Sequence, residues 1–140
     1  MTRIKSQMAR QIDAYHNSMT HEELQNDVIE LAHSLGWKVA GFRKAQRKDG
    51  AWMTPVLADG KGWFDLFLAN EEQRRVIAIE IKDAKDTVKP EQEAWHTLLA
   101  LCGIEAYVVR PTDWHSGEVD RILKAPHRKR PQPYQGESID

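Results

Sequence analysis

Residues 62–82, GWFDLFLANEEQRRVIAIEIK, decide the fold. Val76–Lys82 has the two-residue period of a strand. Ile77, Ile79 and Ile81 share one face, which should be buried against a helix, and Ala78, Glu80 and Lys82 share the other. Glu80 and Lys82 then stand side by side, roughly 7 Å apart along the strand. Trp63–Ala69 reads as the preceding strand, with Phe64, Leu66 and Leu68 on one face and Asp65 on the other beside Trp63 and Phe67. Asn70, Glu71 and Glu72 supply a turn, so the two strands form a hairpin. Cross-strand neighbours sit ~5 Å apart at Cβ, which brings Asp65 beside Glu80.

Two carboxylates at that spacing suit one hard divalent cation, because such ions prefer oxygen ligands. A water on the ion is acidified into a nucleophile. Lys82 either orients that water or stabilises charge developing on a phosphate. An isolated E-x-K is most often a surface ion pair contributing ~0–1 kcal/mol. The Gly62/Asp65 element, the hairpin spacing and the helix that follows set this one apart.

Outward from the hairpin, Thr20 and Glu23 have capping-box spacing, and Leu24, Val28, Leu31, Ala32 and Leu35 form a helical stripe that Gly36 stops. Trp37–Phe42 reads as a first strand. Residues 43–62 are rich in Gly, Lys, Arg and Asp, with a brief apolar piece at Val56 and Leu57, and read as a long excursion, either functional or disordered. Pro90 opens a second helix that runs to Gly103, with Trp95, Leu98, Leu99 and Cys102 expected in the core. Glu105–Arg110 gives a fourth strand, ended by Pro111, and a short helix follows over Glu118–Lys124. The order α-β-β-β-α-β makes a mixed α/β domain around one sheet. Residues 1–19 read as a flexible lead or short helix, 20–125 as the domain, and 126–140 as a basic, proline-rich tail.

At 140 residues the chain suits one domain, and its 41% hydrophobic and 29% charged composition is that of an ordinary soluble protein. No apolar run approaches the ~20 residues of a membrane span. The N-terminus MTRIKSQMAR lacks the apolar stretch of a secretory signal, and a single cysteine, Cys102, fits a reducing compartment. A cytoplasmic protein is expected. The net charge of -1 argues against indiscriminate coating of nucleic acid. Yet basic residues cluster at Arg43, Lys44, Arg47 and Lys48, and again at Lys124, His127, Arg128, Lys129 and Arg130. Both clusters are candidate phosphate contacts, or else solvated loop and tail. Trp52, inside the first cluster, reads either as a stacking surface for an unpaired base or as a loop anchor.

These features resemble the PD-(D/E)xK nuclease superfamily, and within it the VRR-NUC (virus-type replication-repair nuclease) branch found in many phages. The resemblance rests on THEELQ at 20–25, LGW at 35–37, KGWFD at 61–65, EIK at 80–82, PEQ at 90–92 and AYVVRP at 106–111, in the family's order. It implies a restriction-endonuclease-like fold, a Mg²⁺ or Mn²⁺ cofactor and cleavage of DNA phosphodiesters. It also implies that Asp65, Glu80 and the Ile81 backbone carbonyl ligate the metal, that Lys82 is the catalytic lysine, and that Gln92 lines the same site. Phe64 stands where the family usually has proline. His21 stands where it usually has a glutamate, and helix geometry puts His21 nearer the apolar stripe than Glu22 or Glu23. His21 is then a ligand to a metal or a bridging water, or a plain helix-start histidine, with Glu22 as substitute if the helix is rotated.

The expectation is a metal-dependent endonuclease for branched DNA, such as a Holliday junction resolvase, in phage replication, recombination or repair. A non-cleaving protein that recognises DNA structure and an RNA-processing nuclease are the alternatives. One chain carries one set of Asp65, Glu80 and Lys82, so paired cuts on a junction call for a two-fold homodimer. Trp52 and Trp114, outside the core pattern, supply apolar surface for its interface.

Overall fold

A computed structural model describes residues 6–11, 14, 18–42 and 45–125. Arg43, Lys44 and the tail with His127, Arg128, Lys129 and Arg130 lie outside them. Residues 6–11 are helical and exposed. The expected stripe then forms α1 (His21–Ser34), with Thr20 as N-cap: its Oγ1 accepts from the Glu23 backbone N–H at 3.1 Å. Strand β1 (Lys38–Gly41) leads into the excursion, which contains a two-stranded ribbon, β2 (Ala45–Gln46) and β3 (Trp52–Met53). Strands β4 (Leu66–Asn70) and β5 (Arg75–Ile81) form the antiparallel hairpin, with Leu66 opposite Ile79 and Leu68 opposite Ile77. Helix α2 (Pro90–Leu101) then crosses to β6 (Glu105–Val109), which pairs parallel to β5. The sheet order is β1-β4-β5-β6. Short helices α3 (Pro111–His115) and α4 (Glu118–Lys124) close the described chain. No helix among the described residues is long and apolar enough to cross a membrane.

One sheet face carries the core. Ile77, Ile79 and Ile81 are buried with Leu66 and Leu68 against Leu24, Val28 and Ala32 of α1 and Val119, Ile122 and Leu123 of α4. Each such side chain contributes ~1.5–3 kcal/mol on burial. The opposite face is covered as well, since Ala78, Glu80 and Lys82 are all buried. Helix α2 covers it: Phe64 lies 4.5 Å from the His96 ring and Trp63 4.9 Å from Trp95.

Four expectations need correction. Strand β4 starts at Leu66 rather than Trp63, because Gly62 takes φ +85° and the chain bends at Asp65. Phe64 therefore leaves the alternation and packs on His96 instead of joining Leu66 and Leu68. On α2 the expected core residues are mostly outside: Leu98 is 49% exposed, Cys102 is exposed, and no residue of the helix is buried. Pro111 does more than end a strand, because it opens α3. Trp114, expected at an interface, packs against the core instead.

Candidate active site

At its C-terminal end, β5 delivers Glu80, Ile81 and Lys82 where β4 is just beginning. Continuing the hairpin register one step past Leu66 and Ile79 sets Asp65 opposite Glu80. The bend at Asp65 takes its backbone off the ladder, and its side chain replaces the missing bond. Asp65 Oδ2 accepts from the Ile81 N–H at 2.8 Å. The same oxygen lies 3.3 Å from His21 Nε2, at the first residue of α1. His21 is thus joined to the site, whereas Glu22 is exposed.

Glu80 is 4% exposed and Lys82 7%. A buried charge costs several kcal/mol unless it is paired, and here the pairing is partial. Glu80 Oε1 accepts from Gln92 Nε2 at 2.7 Å and faces Lys82 Nζ at 3.7 Å. Gln92 is held from behind, since its Oε1 accepts from the Lys89 N–H at 2.9 Å in the capping box of α2. That bond fixes the amide, so its NH₂ must point at Glu80. Glu80 Oε2, however, is buried with no hydrogen-bond partner among the described residues. Burial first, and the adjacent Asp65 charge second, push the Glu80 carboxyl up to about 8, against the opposing pull of Lys82.

When ionised, an orphaned carboxylate oxygen facing a second carboxylate is costly; a proton relieves that cost, and so does a bound cation. The donors are all hard oxygens, which fits Mg²⁺ or Mn²⁺ and gives no preference for a soft metal. Asp65, Glu80 and the backbone carbonyl of Ile81 are the groups that could hold it.

These residues lie in a groove of about 800 Å³ between β5, the first turn of α2 and the excursion. Its edge is set by Gly62. A Cβ there would lie 2.7 Å from the Glu91 backbone carbon and 2.8 Å from the Gln92 nitrogen, and φ +85° disfavours any side chain. Trp95 Nε1 ties the same loop to α2 by donating to the Asp59 and Lys61 carbonyls, each at 3.2 Å. Sequence patterning did not show this contact, because nothing in periodicity says which loop meets which helix terminus. Gly62→Ala should therefore displace the first turn of α2 and with it Gln92. We expect a melting temperature roughly 10 °C lower, for about 2–3 kcal/mol of strain and displacement. Wild-type melting in this variant would show that the close approach is unimportant.

The basic candidates separate. Arg47 and Lys48 are exposed near the tip of the β2–β3 ribbon, and Arg47 lies 3.7 Å from Asp49. Lys124 is not near the site. It pairs with Asp120 at 2.9 Å on α4, whose end is tied to the far end of β5 by Arg75 donating to the Ala125 carbonyl. Arg75 and Ile81 are six residues apart, roughly 20 Å of strand.

The family model of the VRR-NUC domain matches residues 51–113. The matched stretch runs from the ribbon through Asp65, Glu80, Lys82 and Gln92 to the start of α3. That family is one of nuclease domains with a PD-(D/E)xK-like fold, a type that usually uses divalent metals. No curated protein and no solved structure matches the chain.

Proposed function

We propose, on the premise that this chain carries a VRR-NUC nuclease domain, that it is a Mg²⁺- or Mn²⁺-dependent endodeoxyribonuclease acting on branched DNA. Its active residues are Asp65, Glu80 and Lys82, supported by Gln92 and His21. The observation that carries this reading is the buried Glu80 carboxylate, with Lys82 at 3.7 Å and one oxygen left unpartnered beside Asp65. A protein that only bound DNA would gain nothing from keeping these charges out of water.

In this reading Asp65, Glu80 and the Ile81 carbonyl hold the cation. When bound, it supplies Lewis acidity toward the scissile phosphate and lowers the pKa of coordinated water. The Ile81 N–H and His21 fix the position of the Asp65 carboxylate. The Gln92 amide fixes Glu80. Lys82, anchored by its buried stem and backed by Glu80, presents a cation to charge that grows on the phosphoryl oxygens. Such preorganised charge is worth most in a site that excludes water.

Paired cuts on a junction require two sites, which supports a homodimer. The exposed Ala94, Leu98 and Leu101 on the outer face of α2 give one apolar surface for it. Four-way junction, flap, single-strand and linear duplex DNA should be compared under Mg²⁺, Mn²⁺, Ca²⁺ and EDTA. Cutting is expected with Mg²⁺ or Mn²⁺, fastest on branched substrates. Calcium, with its looser geometry, should support binding with little cleavage. Full activity in EDTA would sink the metal mechanism, and equal rates on linear duplex and junction would remove the preference for branches.

A further inference from the structure

The groove has two unlike walls. One is the polar site on β5 and α2. The other is apolar and belongs to the excursion: Phe42, Trp52, Met53, Val56 and Leu57 all line it. Nine large hydrophobic residues are exposed among the described residues, and five of them are on this one wall. Trp52 is 65% exposed and Leu57 91%. Scattered apolar residues on a surface are ordinary, but five that line one groove beside a polar site mark a binding surface.

The wall is also held in place. At one end, Gly41 pairs with Leu66, next to Asp65. At the other, Gly62 packs on the first turn of α2, and Trp95 holds the Asp59 and Lys61 carbonyls. The ribbon between them has its own hydrogen-bonded tip, with the Arg47 N–H donating to the Ala51 carbonyl at 2.7 Å and the Ala51 N–H to Asp49 Oδ1 at 3.0 Å. Both ends of the wall are thus tied to the elements that carry Asp65 and Gln92. Lys89 lines the same groove, as do Lys61, paired with Glu91 at 3.4 Å, and Asp86.

We infer that this wall takes an unpaired nucleobase next to the scissile phosphate, so that the site selects strands with an extrahelical or single-stranded base. This rests on the nuclease reading above. A phosphodiester held through a cation at Asp65 and Glu80 would have a nucleoside on either side, and the excursion lines the same groove. In an intact duplex that base is stacked and paired, and the apolar wall would meet only sugar and phosphate. An unpaired base presents a π-face, which aromatic side chains bind without regard to sequence. The groove volume of about 800 Å³ is within the ~300–1,000 Å³ range of ligand clefts.

The test is equilibrium binding in Ca²⁺ of DNA carrying 2-aminopurine as the first unpaired base beside a duplex, compared with a blunt duplex of equal length. Wild-type protein should quench the probe on binding. Trp52→Ala should lose the quench and bind the tailed DNA about tenfold more weakly, while blunt duplex binding changes less than twofold. Trp52→Phe should retain most of both signals, which a general folding defect would not allow. Equal losses on both DNAs, unchanged affinity for the tailed DNA, or a persistent quench in Trp52→Ala would overturn the inference. So would loss of self-association in Trp52→Ala with its DNA selectivity intact, since the wall would then be a contact between copies. The nuclease reading fails separately, on cleavage: a Lys82→Met protein that cuts normally would refute it without touching the base-binding result.

Discussion

Glu80→Gln and Lys82→Met should each lower the cleavage rate by about 10³-fold while the protein stays folded. Loss of a single preorganised charge or donor at a developing oxyanion costs ~10²–10³ in rate, and loss of a metal ligand adds to that. Gln at position 80 keeps an oxygen to accept from the Gln92 Nε2, as Glu80 Oε1 does at 2.7 Å. It removes the charge that burial and Asp65 make costly. Its melting temperature in EDTA at pH 8 should therefore equal or exceed wild type. Met at position 82 keeps the length of the buried stem and deletes only the ammonium. Asp65 needs a different substitution. From sequence it looks removable, but its Oδ2 is the acceptor for the Ile81 N–H. Asp65→Ala would strand that N–H at a cost of ~1–3 kcal/mol, mixing a folding defect with the chemical one. Asp65→Asn keeps an acceptor and isolates the charge. Single-turnover cleavage, with circular dichroism as the folding control, decides the matter. Any folded variant that cuts at wild-type rate places its residue outside the chemistry.

The hairpin and its charged end were legible in the sequence because period-two alternation is a direct record of burial. Ile77, Ile79 and Ile81 needed one face, and that choice fixed where Glu80 pointed. The cap at Thr20 and helix Glu118–Lys124 were legible for a similar reason, since both are set by residues within one or two turns. What failed was the prediction of surroundings. From Ala78 to Lys82 the side of β5 that carries Glu80 is buried too, and only tertiary contact with α2 and the loop before β4 makes it so. Helix α2 has apolar residues on more than one side, so Leu98 and Leu101 could not be told from Trp95 by spacing. The β2–β3 ribbon has two-residue strands, too short for any period to register. Phe64 was misplaced by one glycine, because the positive φ at Gly62 ended the alternation earlier than the apolar letters suggested.

Without divalent metal, the protein should lose stability as pH rises, and Glu80 should account for most of that loss. Its carboxyl titrates near 8 in the fold and near 4.5 when unfolded. Between those values the folded state binds the extra proton, so stability falls with increasing pH. The contribution is complete below about pH 4.5 and is gone once pH passes about 8. At about 1.4 kcal/mol per pH unit, that 3.5-unit gap sets a ceiling near 5 kcal/mol, and relaxation around the charge should reduce it to about 2–4 kcal/mol. Urea unfolding in EDTA at pH 5, 7 and 9 should show wild type losing that much more than Glu80→Gln, which has no proton to lose. Saturating Mg²⁺ at pH 9 should restore most of the difference in wild type, because the cation binds the ionised carboxylates that only the folded state brings together. The variant, with one ligand charge missing, should respond weakly. Parallel pH curves for the two proteins would mean that Glu80 is already ionised at pH 7 and that its burial is offset within the fold, most directly by Lys82.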